Sequence, residues 1–422
     1  MPRPYYGWVV VGGAFTVLFT AYGTQYSFGL FFAALLDEFG WSRASLAGAF
    51  SLYAFAYCAF GFPAGRLTDR WGPRPVIAAG AVFLATALAG MSQVTQLWQP
   101  YVLYGLVASL GMGTAYVPCN STVVKWFVRR RGLAVGLATT GASLGTFALP
   151  PAAQALIGAV GWRRAYLIFA AAILLVLSLV ALVMRRDPEA LGLYPDGDPA
   201  PPPREAAGGA AWPLGRAART ATFWLLAATF TATWIPVFIP LVHLPRFARD
   251  LGFPAATGAW LMSTLGLGAV CGRLIMGALS DRFGRRRVVG AAMALQVLAF
   301  SGFATVRELP ALYATAFLFG YSYGTISTLF TAIVGDFFGR ASAGTLVGVL
   351  FAMSGSMGGW GPLIAGALYD ATGRYTPAFV LAAALNVAAI VLLSLCRPPV
   401  GRPGYTRPRS VVGRGGHTDL IR

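Results

Sequence analysis

Twelve stretches of about twenty mainly apolar residues run through this chain. They begin near Trp8, Ser45, Pro75, Tyr101, Gly132 and Ala165, then near Thr222, Thr257, Val288, Leu312, Gly344 and Thr376. About 20 residues of α-helix cross the hydrocarbon core of a bilayer, and a helix satisfies its own backbone N–H and C=O groups where water cannot. With 57% hydrophobic and 11% charged residues among 422, the chain is too apolar for a water-soluble globule of that size. The runs are continuous rather than alternating with a period of two, which argues against a strand barrel. The first run is one of twelve, too long for a cleaved signal. The predicted fold class is an all-α membrane protein with twelve transmembrane helices.

Between the second and third runs stands Gly65-Arg66-Leu67-Thr68-Asp69-Arg70-Trp71-Gly72-Pro73-Arg74, and between the eighth and ninth stands Gly277-Ala278-Leu279-Ser280-Asp281-Arg282-Phe283-Gly284-Arg285-Arg286. The Gly, Asp, Arg, Gly and Arg positions keep an offset of 212, so the chain is a duplication of a six-span unit. The repeat returns as Glu38-Phe39-Gly40 against Asp250-Leu251-Gly252. It returns again as Gly141-Ala142-Ser143-Leu144-Gly145 against Ser354-Gly355-Ser356-Met357-Gly358, small residues that let helices approach closely. Two parallel six-span repeats with binding at their interface are a transporter design. The expected domains are pseudo-symmetric six-helix bundles over residues 1–184 and 222–396, a linker over 185–221 rich in Pro and Gly, and a basic tail over 397–422 suited to anionic lipid.

A net charge of +18 invites a nucleic-acid reading, but the cations lie mainly between spans. Alternate connections carry Arg66, Arg70 and Arg74; Lys125 and Arg129 to Arg131; Arg185, Arg186, Arg204, Arg216 and Arg219; and Arg282 with Arg285 to Arg287. By the positive-inside rule the rich side and both termini are cytoplasmic, in a multi-pass protein of the inner (cytoplasmic) membrane. Cys58, Cys119, Cys271 and Cys396 fall in or beside apolar runs with no metal-ligand spacing, as free thiols. No Gly-Lys-Ser/Thr nucleotide loop and no catalytic constellation occurs, which argues against ATP drive and against an enzyme. No cofactor, metal or nucleic-acid partner is expected, and the expected working unit is a monomer.

The doubled Gly-x-Leu-x-Asp-Arg-x-Gly-x-Arg phrase resembles the signature of the major facilitator superfamily, and the resemblance covers essentially the whole chain. Within it the chain is similar to the monocarboxylate transporter group and its bacterial oxalate/formate exchanger relatives. The stretches that carry this are Tyr6-Gly7-Trp8-Val9-Val10-Val11 with Tyr26-Ser27-Phe28-Gly29, and Trp126-Phe127-Val128-Arg129-Arg130-Arg131-Gly132-Leu133-Ala134-Val135-Gly136. Arg273 and the linker phrase Pro188-Glu189-Ala190-Leu191-Gly192-Leu193-Tyr194-Pro195 add to it. The resemblance implies that Gly65, Asp69, Arg70, Gly72 and Arg74, with Gly277, Asp281, Arg282, Gly284 and Arg286, form a conformational switch. In it, Asp69 and the neighbouring arginines make charge contacts across the inner helix ends.

Arg273 stands well inside the eighth run, between Val270-Cys271-Gly272 and Leu274-Ile275-Met276. An Arg at the middle of a membrane helix costs roughly 2.5 to 3.5 kcal/mol on insertion scales, so it should face a polar cavity. Its planar fork matches a carboxylate in two hydrogen bonds, and the resemblance likewise implies that it binds the substrate carboxylate. The alternative is an Arg snorkelling towards the helix end. The oxalate-exchanger pattern adds a Lys in the eleventh span, whereas Thr345 to Leu368 here holds no cation, so one fixed charge favours a monoanion. Where animal monocarboxylate carriers show a Lys in the first span this chain has Tyr26, and where they place a carboxylate one turn before the Arg it has Ala269. Both departures weaken the animal type of proton relay.

Helical spacing proposes further substrate contacts. Tyr116 and Asn120 share a face of the fourth span, their repeat partners are Ser327 and Thr331, and Tyr323 extends that second stripe. Gln25 and Tyr26 are polar candidates in the first span, and His243 is the candidate for proton coupling. For the tyrosines an interfacial anchor, for Asn120 interhelical glue, and for His243 a backbone-bonded role stay open. The expected function is alternating-access transport of a small monocarboxylate of the lactate, pyruvate or formate type, coupled to protons. Carboxylate exchange, export of amphiphilic compounds, suggested by the 14% aromatic content, and a non-transporting carboxylate receptor are the alternatives.

Overall fold

The computed structural model describes residues 5–128, 130–198, 213–338 and 343–397. The expected linker segment 199–212, the tail beyond residue 397 and Arg129 lie outside them. The described residues are helical with no strand. Eleven helices are long and apolar enough to cross a membrane, and one of these, Gly132–Val183, bends where Gly161 takes φ 80°, ψ 159°. Counting that bend gives twelve spans. They are α1 (Gly7–Phe39), α2 (Arg43–Trp71), α3 (Pro73–Met91), α4 (Trp98–Trp126), and α5 and α6 over residues 131–160 and 162–183. The second six are α7 (Ala221–Asp250), α8 (Ala255–Phe283), α9 (Arg285–Thr305), α10 (Leu309–Phe338), α11 (Ala343–Gly358 continued as Trp360–Thr372) and α12 (Thr376–Leu395).

Large apolar side chains such as Leu175, Leu179, Val387 and Val391 point outward from α6 and α12, as lipid-facing surfaces require. Lipid gives helices no hydrophobic reason to associate, so close packing has to hold them. The small-residue stretch of α5 does this: a Cβ on Gly145 would stand 2.1 Å from the Phe19 carbonyl of α1.

The repeat is visible in the geometry. Gly72 and Gly284, equivalent in the doubled phrase, both take positive φ, 84° and 87°, which side chains rarely adopt and which turns the chain sharply between spans. Arg74 Nε donates to the Ala181 carbonyl of α6 at 3.2 Å, and its counterpart Arg286 donates to the Ser394 carbonyl of α12. The last Arg of each phrase thus ties the third helix of its half to the sixth.

The two halves meet along α1 with α7, α2 with α11, and α5 with α8. At the end opposite the chain termini, ionic contacts join them. Asp37 of α1 pairs with Arg246 and Arg249 of α7, and Arg43 of α2 grips Asp250 of α7 through both terminal guanidinium nitrogens, Nη1 and Nη2. The Asp370 carboxylate of α11 accepts the Arg43 and Ala44 amides at 3.1 and 2.9 Å, so one half caps a helix of the other. The Arg43 guanidinium also lies 3.4 Å over the Tyr369 ring.

At the terminus-bearing end, pairs within a half are Lys125 with Asp69 at 2.7 Å and Arg285 with Asp336 at 2.6 Å. Lys125, placed by sequence as a topology signal, therefore also holds the motif's Asp. The side chain of Asp281 lies outside the described ones. Gly136, Gly277 and Gly348, towards this end of α5, α8 and α11, have open space where a Cβ would go. Ionic contacts thus join the halves at the far end, while these glycines leave open space near the terminus end.

Candidate functional site

The site is assembled where α8 and α10 touch backbone to backbone. A Cβ on Gly272 would fall 2.0 Å from the Tyr321 carbonyl, and one on Gly324 would fall 2.2 Å from the Ala269 carbonyl. Thr325 adds a hydroxyl bond to the Gly272 carbonyl at 3.3 Å. Arg273 follows the first glycine and Tyr323 precedes the second, so this packing brings the guanidinium and the phenol together. Tyr26, Tyr116 and Tyr323 lie within electrostatic range of Arg273. Its Nη1 reaches the Thr139 carbonyl of α5 at 3.5 Å, a long contact into the opposite half, and its buried Nε has no partner in the protein.

Tyr26 and Tyr323 bridge the halves through a 2.7 Å hydrogen bond between their phenol oxygens. Gln25, 2% exposed, accepts from Tyr53 Oη at 3.3 Å while its Nε2 has no protein partner. Tyr116 and Asn120 open the second segment of α4, just after the helix breaks at Thr114 and Ala115. Asn120 Nδ2 donates to the Tyr116 carbonyl at 3.0 Å, leaving a buried Oδ1 without a protein partner. Ser327 and Thr331 turn their hydroxyls back onto the Gly324 and Thr328 carbonyls, and Thr331 is exposed.

His243 is elsewhere. Its ring is fully buried near the far end, with Nε2 2.9 Å from the Pro362 carbonyl and Nδ1 3.0 Å from Tyr375 Oη. A carbonyl only accepts, so Nε2 carries the proton and the neutral ring's Nδ1 accepts from Tyr375. Tyr375 Oη in turn accepts from Arg43 at 2.8 Å, which makes His243 part of the ionic cluster that closes that end.

Three residues packed against Tyr26, Tyr323 or Tyr116 were not singled out by sequence: Tyr22, Trp234 and Phe351. Tyr22 lies one turn before Tyr26, and their rings are 5.9 Å apart, so helical spacing could have found it. Trp234 has a buried Nε1 without a protein partner and lies 6.0 Å from Tyr323 and 6.1 Å from Phe351. No spacing rule points to either. Chemically the centre offers one permanent cation, phenol and indole donors, and aromatic walls from both halves, an arrangement suited to one negative charge on an apolar body. A separate crevice of about 360 Å³ at the far end, lined by Leu30, Ala33, Asp37, Gln154 and Arg249 among others, does not include Arg273.

The sequence matches the family model described as Major Facilitator Superfamily over residues 14–259 and 237–415. It is 33% identical to monocarboxylate transporter 11 of Mus musculus, over 89% of this chain and 84% of that protein. It is 30% identical to monocarboxylate transporter 13 of Bos taurus, over 92% and 89% respectively. Among solved structures, the nucleoside transporter NupG superposes with a TM-score of 0.73 at 14% identity, covering 91% of this chain and 99% of that one. A bacterial homolog of the human lysosomal transporter Spinster, in an inward-facing and unoccupied conformation, gives 0.68 at 16% identity, over 94% and 96%. These low identities speak to the fold, while the sequence relatives speak to the group. With helices in two related halves and these matches along nearly its full length, the chain belongs to the Major Facilitator Superfamily, in its monocarboxylate transporter group.

Proposed function

We propose that this protein carries small organic monocarboxylates, of the lactate, pyruvate and formate type, across the cytoplasmic membrane by alternating access. The observation that supports this most is Arg273 itself, a guanidinium inside a span that reaches towards the opposite half at Thr139 and lies beside the Tyr26–Tyr323 bridge. A carboxylate seated there neutralises a charge that is costly in the membrane and contacts both halves at once, so loading can change how they pack. Tyr116, Asn120, Gln25, Tyr26 and Tyr323 are the proposed neighbours of the substrate, and Ser327 and Thr331 line its way out.

The bundles, residues 1–184 and 222–396, then rock about this site with the linker and both termini cytoplasmic. In the state described, the Asp37 and Arg43 pairs hold the outer end shut, and Asp69 of the first phrase pairs with Lys125 of its own half. Proton symport fits His243: a proton on its ring adds a cation beside Arg43 and removes the acceptor for Tyr375 Oη, which loosens the outer closure. Anion exchange is the second reading, and it is favoured by Ala269, which stands one turn before Arg273 and offers no carboxylate to carry a proton.

The test is uptake of labelled lactate, pyruvate, formate and oxalate into proteoliposomes with and without an inward proton gradient. Saturable uptake of the monoanions, enhanced by the gradient, is expected. Rates for all four equal to those of protein-free liposomes would overturn the reading.

A further inference from the structure

Six aromatic side chains, three of them within electrostatic range of Arg273, form a closed circuit. Starting at Trp234 in α7, the ring centroid of Tyr323 in α10 is 6.0 Å away, and Tyr323 joins Tyr26 of α1 through their phenols at 2.7 Å. Tyr26 lies 5.9 Å from Tyr22, Tyr22 lies 6.3 Å from Tyr116 of α4, and Tyr116 stacks on Phe351 of α11 at 6.0 Å. Phe351 returns to Trp234 at 6.1 Å. Each centroid separation falls in the range of favourable edge or offset ring contacts. The circuit draws on five helices and both halves, and Arg273 acts electrostatically on three of its members.

Two observations say what such an enclosure accepts. The Ser327 and Thr331 hydroxyls are committed to the Gly324 and Thr328 carbonyls. Trp234, 7% exposed, instead keeps a buried indole N–H without a protein partner, and Arg273 keeps a buried Nε in the same condition. A formate or acetate could engage the guanidinium but would leave the aromatic faces without a partner. An aryl group would stack on them.

We propose that this transporter prefers monocarboxylates bearing an aromatic ring, with the carboxylate on Arg273, the ring within the six-residue circuit, and Trp234 setting the preference. The proposal rests on Arg273 being the carboxylate site and goes further by naming the class of body attached to that carboxylate.

The experiment compares acetate, cyclohexylacetate and phenylacetate as ligands that raise the melting temperature of the purified full-length protein, followed by uptake of each in proteoliposomes. Phenylacetate should reach half-effect at a concentration at least about tenfold below that of acetate, the gain expected from burying one ring. It should also act below cyclohexylacetate. Trp234→Leu and Phe351→Leu should each collapse the phenylacetate-to-acetate ratio. Equal half-effects for the three acids in the wild-type protein would overturn the aromatic preference and leave the carboxylate site standing. Cyclohexylacetate matching phenylacetate would overturn it too, in favour of a general apolar pocket. If none of the three binds or enters, the carboxylate site fails with it.

Discussion

The phenol oxygens of Tyr26 and Tyr323 lie 2.7 Å apart, one from each half of the molecule, in the region where Arg273 exerts its charge. Neither helix can rotate away from the other without breaking this bond, so under the proposed mechanism the bridge would link occupancy of the site to the packing of the halves. Tyr26→Phe or Tyr323→Phe removes one neutral hydrogen bond, about 1 kcal/mol, and should change the closed-to-open ratio by roughly fivefold. Because either change breaks the same bond, the double variant should behave like each single one. Uptake rates of the three proteins check this, and additive losses would show that the phenols act separately.

Arg273→Ala should abolish saturable uptake while leaving a monodisperse protein, because the side chain makes one long protein contact and holds no helix in place. Arg273→Lys keeps the charge but loses the fork, so affinity should fall by roughly tenfold or more. Concentration dependence of uptake distinguishes the two. Retained high-affinity transport in the Ala variant would remove Arg273 from the site.

The ionic closure at the far end, the outer one in the proposed orientation, should yield to single charge deletions. Asp250→Asn weakens the grip on Arg43, whose side chain is 10% exposed, and leaves that buried cation poorly compensated. Cysteine placed at Ala33, buried beside this closure and lining the far-end crevice, should then react faster with an impermeant maleimide added from outside. An unchanged labelling rate would mean that other contacts hold the end shut.

How much of this was legible beforehand depends on the range of the interaction. Spans, hinge glycines and the repeat follow from local rules of apolar length and backbone freedom, which is why Gly72 and Gly284 could be paired by offset alone. Arg273 was found because a charge in a membrane helix needs an explanation wherever the helix packs. Trp234 and Phe351 were not, because an aromatic residue in an apolar run carries no local sign of which neighbour it will meet. The role of Arg43 was hidden for the same reason: its partners Asp250 and Asp370 lie 207 and 327 positions away. Ser327 and Thr331 show the opposite limit, since helical spacing placed them on the stripe of Tyr323 but could not show that their hydroxyls bend back to their own backbone.

At the terminus-bearing end, Tyr5 should clip the start of the linker to the first half. Its phenol oxygen lies 2.9 Å from the Trp126 carbonyl and 3.1 Å from that of Tyr194, while the Asp196 carboxylate accepts the Val128 and Arg130 amides. Partial burial, reinforced by the charge of Asp196, pushes the Tyr5 phenol up from 10.0 to about 12. The folded state thus favours the protonated phenol. The clip should be intact below pH 10 and be lost as pH rises towards about 12. At neutral pH, Tyr5→Phe should speed tryptic cleavage after Arg185 and Arg186 several-fold, and an unchanged cleavage rate would show that Asp196 alone suffices.

Proton coupling turns on whether His243 is a titrating group or a fixed strut. Both ring nitrogens are engaged, by Tyr375 and by the Pro362 carbonyl, and Arg43, Asp250 and Asp370 surround that connection. If the ring takes up the transported proton, its positive charge must be accommodated next to Arg43, and the outer closure should open more readily in acid. His243→Gln keeps a donor for the Pro362 carbonyl but cannot be protonated. Its uptake should therefore lose the stimulation given by an inward proton gradient while exchange of internal for external carboxylate persists. Labelling at Ala33→Cys should likewise accelerate in acid with His243 present and not with Gln in its place. Full gradient stimulation in the Gln variant would make His243 a strut and leave the proton to travel on the substrate's own carboxylate.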